Sequence, residues 1–226
     1  MRKLKYLIVQ FDRNLQSYEI PYFRASVIEN TKRQSDLFHN HVSDTEVIYR
    51  YPLIQYKIIN RKPSIVCIDA ATNDIHYLLE NREFHFDIKG KVDKYEIEEL
   101  YLKYFTFQTW DSSFSYHLHN YMPFNQENYS LYKKLGSQKR QMDFLEELLQ
   151  KHLSLICQEL NAFIPIELTS EVTSLKSEKY IEYKGVFHQT YCLNFKTNLT
   201  LPNYIGIGKG VSNGFGLIKQ IGNDKR

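Results

Sequence analysis

GIGKGVSNGFG, residues 206–216, places five glycines in eleven positions of a chain that holds only nine in 226 residues. Ordering glycine costs more conformational entropy than ordering any other residue, so the cluster marks backbone that turns tightly or is closely approached. The familiar nucleotide motifs fail here. A P-loop needs Gly-x4-Gly-Lys-Ser/Thr; Gly208-Lys209 is present, but position 203 is Asn and position 210 is Gly. A dinucleotide fingerprint needs GxGxxG opening a helix, and the third glycine and the helix are both missing from the pattern. What remains is Gly-φ-Gly-x5-Gly-φ-Gly between sheet-like segments, with Lys209 and Ser212 inside it. Backbone amides freed by glycine can line a concave anion site to which Lys209 adds charge. A bulged hairpin accounts for the same spacing.

Working outward, nearly everything between Pro165 and the glycines alternates polar and apolar, which predicts antiparallel strands. LIKQI after the glycines reads as a closing strand. Residues 137–163 predict the strongest helix, with Met142, Leu145, Leu149, Leu153 and Ile156 as its apolar stripe. Residues 112–129 read as a loop-rich aromatic stretch. In the first half, KYLIVQF (5–11) reads as a buried strand and 20–33 as a helix with Pro21 in its first turn. SDLFHNHVSDTE (35–46) reads as a polar connection, 47–59 and 62–69 as paired strands, 72–82 as a short helix, and 83–90 and 95–108 as strands. The order β-α-β-β-α-β, with an extra strand, is the ferredoxin-like pattern.

Composition fits two compact domains of roughly 100 residues each. Hydrophobic residues make up 42% and charged residues 24%, as in ordinary globular proteins. The 18 tyrosines and 14 phenylalanines are read mainly as sheet packing. The net charge of +3 is unevenly spread: residues 1–62 and 184–226 are basic, and the centre is acidic. Two basic ends that meet in space would make one positive surface. Three cysteines without CxxC spacing fit a reduced cytoplasm better than a disulfide framework or zinc ribbon. No apolar run is long enough for a signal-peptide core or a membrane span, so a soluble cytoplasmic protein is expected.

His39 and His41, in FHNH, stand two residues apart and can face the same side of extended chain. Histidine exchanges protons near neutrality, which suits acid–base catalysis. No third ligand is spaced for a metal. In the strand that follows, Tyr49, Tyr51, Leu53, Gln55 and Lys57 share one face by period two. His117, His119, His85 and His188 read as structural, and EIEEL (96–100) as a solvated strand face.

The glycine stretch, FHNH after the first helix, RYPLIQYK as the next strand and KTNLTLPNYIGIGKGVSNGFGLI at the end together resemble the RAMP superfamily, and within it the CRISPR repeat-processing endoribonucleases. The resemblance covers most of the chain. It implies an α+β fold of two tandem ferredoxin-like domains, 1–111 carrying the histidines and 112–226 carrying the glycine-rich loop. It implies metal-independent, cofactor-free cleavage of precursor CRISPR RNA within repeats by 2′-hydroxyl attack, leaving a 2′,3′-cyclic phosphate and a 5′-hydroxyl. His41 is the favoured catalytic residue with His39 as partner, Tyr51 orients the attacking ribose, and Lys57 stabilises charge on the phosphorane. RNA contacts are expected from Gly206, Gly208, Lys209, Gly210, Ser212, Gly214, Gly216, Lys219, Lys196, Arg24 and Arg50. The partner is CRISPR repeat RNA; CRISPR effector-complex subunits and a homodimer stay open. The alternative is a non-catalytic RAMP-type subunit that holds RNA in a ribonucleoprotein. A sheet protein with a glycine hairpin and no RNA affinity is the third reading.

Overall fold

The computed structural model describes residues 1–31, 35–38 and 51–222. The chain divides into two units. One comprises Lys3–Phe105 and Ser212–Gly214; the other comprises Met1–Arg2, Thr106–Val211 and the chain from Phe215.

The N-terminal unit runs β1 (Lys3–Phe11), α1 (Ile20–Asn30), β2 (Ile54–Ile59), β3 (Lys62–Ile68), α2 (Ala71–Asp74), α3 (His76–Leu79), β4 (Phe84–Ile88), β5 (Lys91–Tyr95) and β6 (Ile97–Thr106). Its sheet has the order β2-β3-β1-β6, which is the ferredoxin-like arrangement. The extra strand expected from sequence is a separate hairpin, β4 with β5. Pro21 opens α1 as expected. Phe23 and Val27 of the helix pack with Val9, Phe11, Tyr56, Ile65 and Phe86, all fully buried. Phe11 meets Phe23, Phe84 and Phe86 edge-on at centroid distances of 5.1–5.8 Å, a favoured geometry for aromatic rings.

The C-terminal unit runs β7 (Thr109–Tyr121), α4 (Gln126–Lys133), α5 (Gln138–Glu159), β8 (Ser170–Tyr183), β9 (Val186–Leu199) and β10 (Leu217–Gln220). The order β10-β7-β9-β8 repeats the first sheet's arrangement. Where the pattern has its second helix, this unit has the non-helical segment 200–216. Ser137 caps α5, its hydroxyl accepting the Arg140 amide, and Leu145, Leu149, Leu153 and Ile156 are buried as predicted. The aromatic stretch read as a loop is instead β7 and α4. Tyr116 and Leu118 of β7 are buried while Ser115, His117 and His119 face the other way. Asn120, at φ 48°, breaks that alternation, so Tyr121 is buried as well.

The glycines answer to close backbone packing. A Cβ at Gly216 would stand 1.9 Å from the Ile207 carbonyl oxygen, and one at Gly208 would stand 2.7 Å from the Tyr121 ring. Both have positive φ, 66° and 92°. Gly136, in contrast, has open space around its Cβ position. Gly216→Ala is therefore expected to lose about 3 kcal/mol of stability, and Gly136→Ala to change it by less than about 1 kcal/mol. Urea unfolding of the two variants checks the contrast.

Candidate functional site

In the N-terminal unit the chain leads to the histidines from a buried anchor. Phe38 is 1% exposed, and the Tyr56 hydroxyl donates to its carbonyl at 3.3 Å. His39, the next residue, lies outside the described residues, as do His41, Tyr49 and Arg50. Tyr56 gathers three further groups. The Arg24 guanidinium lies 6.0 Å over its ring, its amide donates to the Ser212 carbonyl at 3.4 Å, and Asn213 forms a bridge with it. Arg24 and Ser212, both singled out from sequence, thus meet around one tyrosine. Burial holds the Tyr56 hydroxyl protonated, far above its ordinary range, despite the opposing field of Arg24.

Of the strand expected over 47–59, residues 47–50 lie outside the described residues, 51–53 are not strand, and β2 spans Ile54–Ile59. Pro52 has no N–H for a ladder, and its carbonyl instead accepts from the Gln55 side chain at 3.0 Å. Tyr51 precedes the strand and is half-buried. Gln55 and Lys57 do alternate on one face, but both are fully buried. Removal from water disfavours the ammonium, pushing Lys57 down to about 7.

In the C-terminal unit the glycine segment is stitched down by backbone bonds. Ile207 N–H donates to Gly216 O at 2.9 Å, Lys209 N–H to Met122 O at 2.9 Å, and Gly216 N–H to Asn120 O at 3.0 Å. Lys209 itself is exposed, and Gly206 is buried. The Phe215 ring lies against Gly210, 2.8 Å from the position of a Cβ there. Beneath Gly208, the Tyr121 hydroxyl is hydrogen-bonded to Nδ1 of His152 at 2.7 Å. Burial, then the charge of Lys209, pushes His152 down to about 4. Sequence reading missed this pair because the partners are 31 residues apart and no local signal joins them.

One face of this sheet buries Tyr116, Leu118, Leu193, Phe195 and Ile218. On the other, Lys219 stands opposite His117 and His117 opposite Asn194. Lys196, two residues on in β9, shares that face and stands opposite Ser115. Both lysines are exposed. His117 donates from Nδ1 to Asn194 Oδ1 at 2.8 Å. His119 meets Cys192 Sγ at 3.2 Å, and burial followed by the nearby His117 and Lys179 lowers its pKa.

Two ferredoxin-like units in tandem, the second crossing to its last strand through a glycine-rich segment, define the class as a tandem ferredoxin-like protein. Family models of the Cas6b N-terminal domain and the Cas6b C-terminal domain match residues 2–106 and 108–221. The chain belongs to the Cas6b family. A crystal structure of a Cas6b is similar over 97% of this chain and 100% of its own, with a TM-score of 0.88 at 24% identity. A second, of a CRISPR RNA processing endoribonuclease Cas6b, aligns over the same shares with a TM-score of 0.73 at 23% identity. The uncharacterized protein MJ0978 of Methanocaldococcus jannaschii is 26% identical over 134 residues, which span 59% of this chain and 82% of that protein.

Two titrations follow. Lys57 has a lower pKa folded than unfolded, so the unfolded chain holds the extra proton between about pH 7 and 10.5. Stability should therefore rise with pH across that window. The rise, relative to Lys57→Met, approaches about 1.4 kcal/mol per pH unit, and denaturant unfolding at several pH values reads it. His152 should stay neutral until pH falls to about 4, seen by NMR as an imidazole whose ring shifts move only near that pH.

Proposed function

We propose that the protein is an endoribonuclease that cleaves precursor CRISPR RNA within its repeats, by self-attack of the RNA. One histidine of the His39–His41 pair takes the proton of the 2′-hydroxyl. The 2′-oxygen bonds to phosphorus as the bond to the 5′-oxygen breaks, and the other histidine protonates that leaving oxygen. The products are a 2′,3′-cyclic phosphate and a 5′-hydroxyl. Acid and base suffice for these steps, so no metal enters the scheme. His41 is the favoured principal group and Tyr51 orients the ribose. Lys57 is fully buried, so in this reading it acts on the charge of the phosphorane through space and does not touch it.

The observation that carries the reading is the match of both Cas6b domains end to end along the chain. The shared exposed face of Lys196 and Lys219 supports it, since phosphate contacts need cations aligned on one surface. Lys209, Ser212 and the glycine segment, with Arg24 and Arg50, are the further RNA contacts in this reading. The rival, a RAMP-type subunit that holds RNA among effector-complex subunits without cutting it, needs the same cationic face but no paired histidines. No described helix is long and apolar enough to cross a membrane, and we place the activity in the cytoplasm with its RNA.

A gel with the host's repeat RNA in EDTA should show one cut. A single 2′-deoxy substitution at the nucleotide before the cut, or His39→Ala with His41→Ala, should abolish it. Tight binding without any cut would favour the scaffold reading. Lys196→Ala with Lys219→Ala should weaken binding and reduce the salt slope of log K by about 2.

A further inference from the structure

β6 closes the N-terminal sheet with a neighbour on one side only. It is ten residues long, and residues 98–104 are all exposed. Leu100 is 54% exposed, Leu102 61% and Tyr104 61%. Proteins usually blunt a long edge of this kind, because its free backbone groups and bare apolar side chains recruit another strand. β6 has neither proline nor glycine to do so. Its charges are arranged unusually. Glu98 is bonded to Lys62 of the same unit. Among the described residues, Glu99 and Lys103 take part in no ion pair.

We propose that β6 pairs antiparallel with β6 of a second copy of this chain, centred on Tyr101, joining two four-stranded sheets into one of eight strands. Symmetry selects this register. Antiparallel edges related by a two-fold axis have that axis normal to the sheet, which keeps every residue on its own face. Opposed residues point to the same face, so the centre must fall on a residue. Centring on Glu99 or Lys103 sets like charges against themselves. Centring on Leu100 or Leu102 leaves both charges opposite uncharged residues. Centring on Tyr101 sets Glu99 opposite the partner's Lys103 and Lys103 opposite the partner's Glu99. On that same face, Ile97 falls opposite the partner's Phe105. On the other face, Leu100 and Leu102 of both copies make an apolar cluster of four. Opposite charges directly across a strand pair are favourable and like charges are not, so both faces of the strand agree on one register.

The test needs no RNA, so its outcome is separate from that of the nuclease reading. Sedimentation velocity over a concentration series should show the wild-type chain dimerising. Glu99→Lys should be monomeric at the same concentrations, and adding Lys103→Glu to it should restore the dimer. Both positions are exposed, and a single cooperative thermal transition in each variant establishes that it folds. Two Tyr101 residues facing across the axis bring their Cα atoms to about 4.5–5.5 Å, within disulfide range. Tyr101→Cys should therefore oxidise to a covalent dimer. The native cysteines are buried, so the wild type should not. A wild type that stays monomeric, a dimer unaffected by Glu99→Lys, or a double variant that remains monomeric overturns the proposal.

Discussion

The carbonyl oxygen of Ile207 occupies the place where a side chain at Gly216 would begin, 1.9 Å from that Cβ position. Around this contact the C-terminal unit replaces a helix with bare backbone. A ferredoxin-like sheet needs a connection from its third strand to its fourth, and a helix would bury its own hydrogen bonds. The segment here has no such ladder and must find partners for its amides and carbonyls elsewhere. It finds them in itself and at the end of β7, where Asn120 and Met122 accept from Gly216 and Lys209. Those bonds form only if two backbones lie nearly in contact, which excludes a Cβ. β10 then reaches its place beside β7 and brings Lys219 onto the face that holds Lys196.

Burial of polar groups is the second theme, and it acts on protons. Lys57 and His152 lie in different units, yet both lose proton affinity for the same reason: the charged form has been taken out of water. Lys57 is thereby brought down to about 7, and His152 to about 4. His152 serves as a neutral hydrogen-bond partner that fixes Tyr121 beneath the glycine segment. Tyr56 does comparable work in the N-terminal unit. Its hydroxyl holds the Phe38 carbonyl, so the chain enters the histidine segment from a fixed, buried position.

Much of this was legible in the sequence because it rests on short-range chemistry. Period-two alternation marked β8 and β9, the apolar stripe marked α5, and five glycines in eleven residues marked the crossover. The β7 stretch was misread because its alternation is written in serine, histidine and asparagine, residues that also make loops. In the sheet His117 and His119 take partners from β9, and a central strand results. For β2 the strand was legible over Ile54–Ile59 and its burial was not. Alternation correctly placed Gln55 and Lys57 on one face, but it could not say that this face is as buried as its opposite.

The sequence by itself determined the long helix, most of the strands, the glycine requirement and the doublet of histidines, because local propensity, spacing and residue chemistry are properties of neighbours along the chain. Only the tertiary structure decided which distant residues meet. Tyr121 with His152, Arg24 with Tyr56, and Lys219 across His117 from Asn194 depend on strand order and register. The degree of burial that resets Lys57 was decided there as well, since desolvation depends on every atom packed around a group and no short stretch of sequence carries that sum.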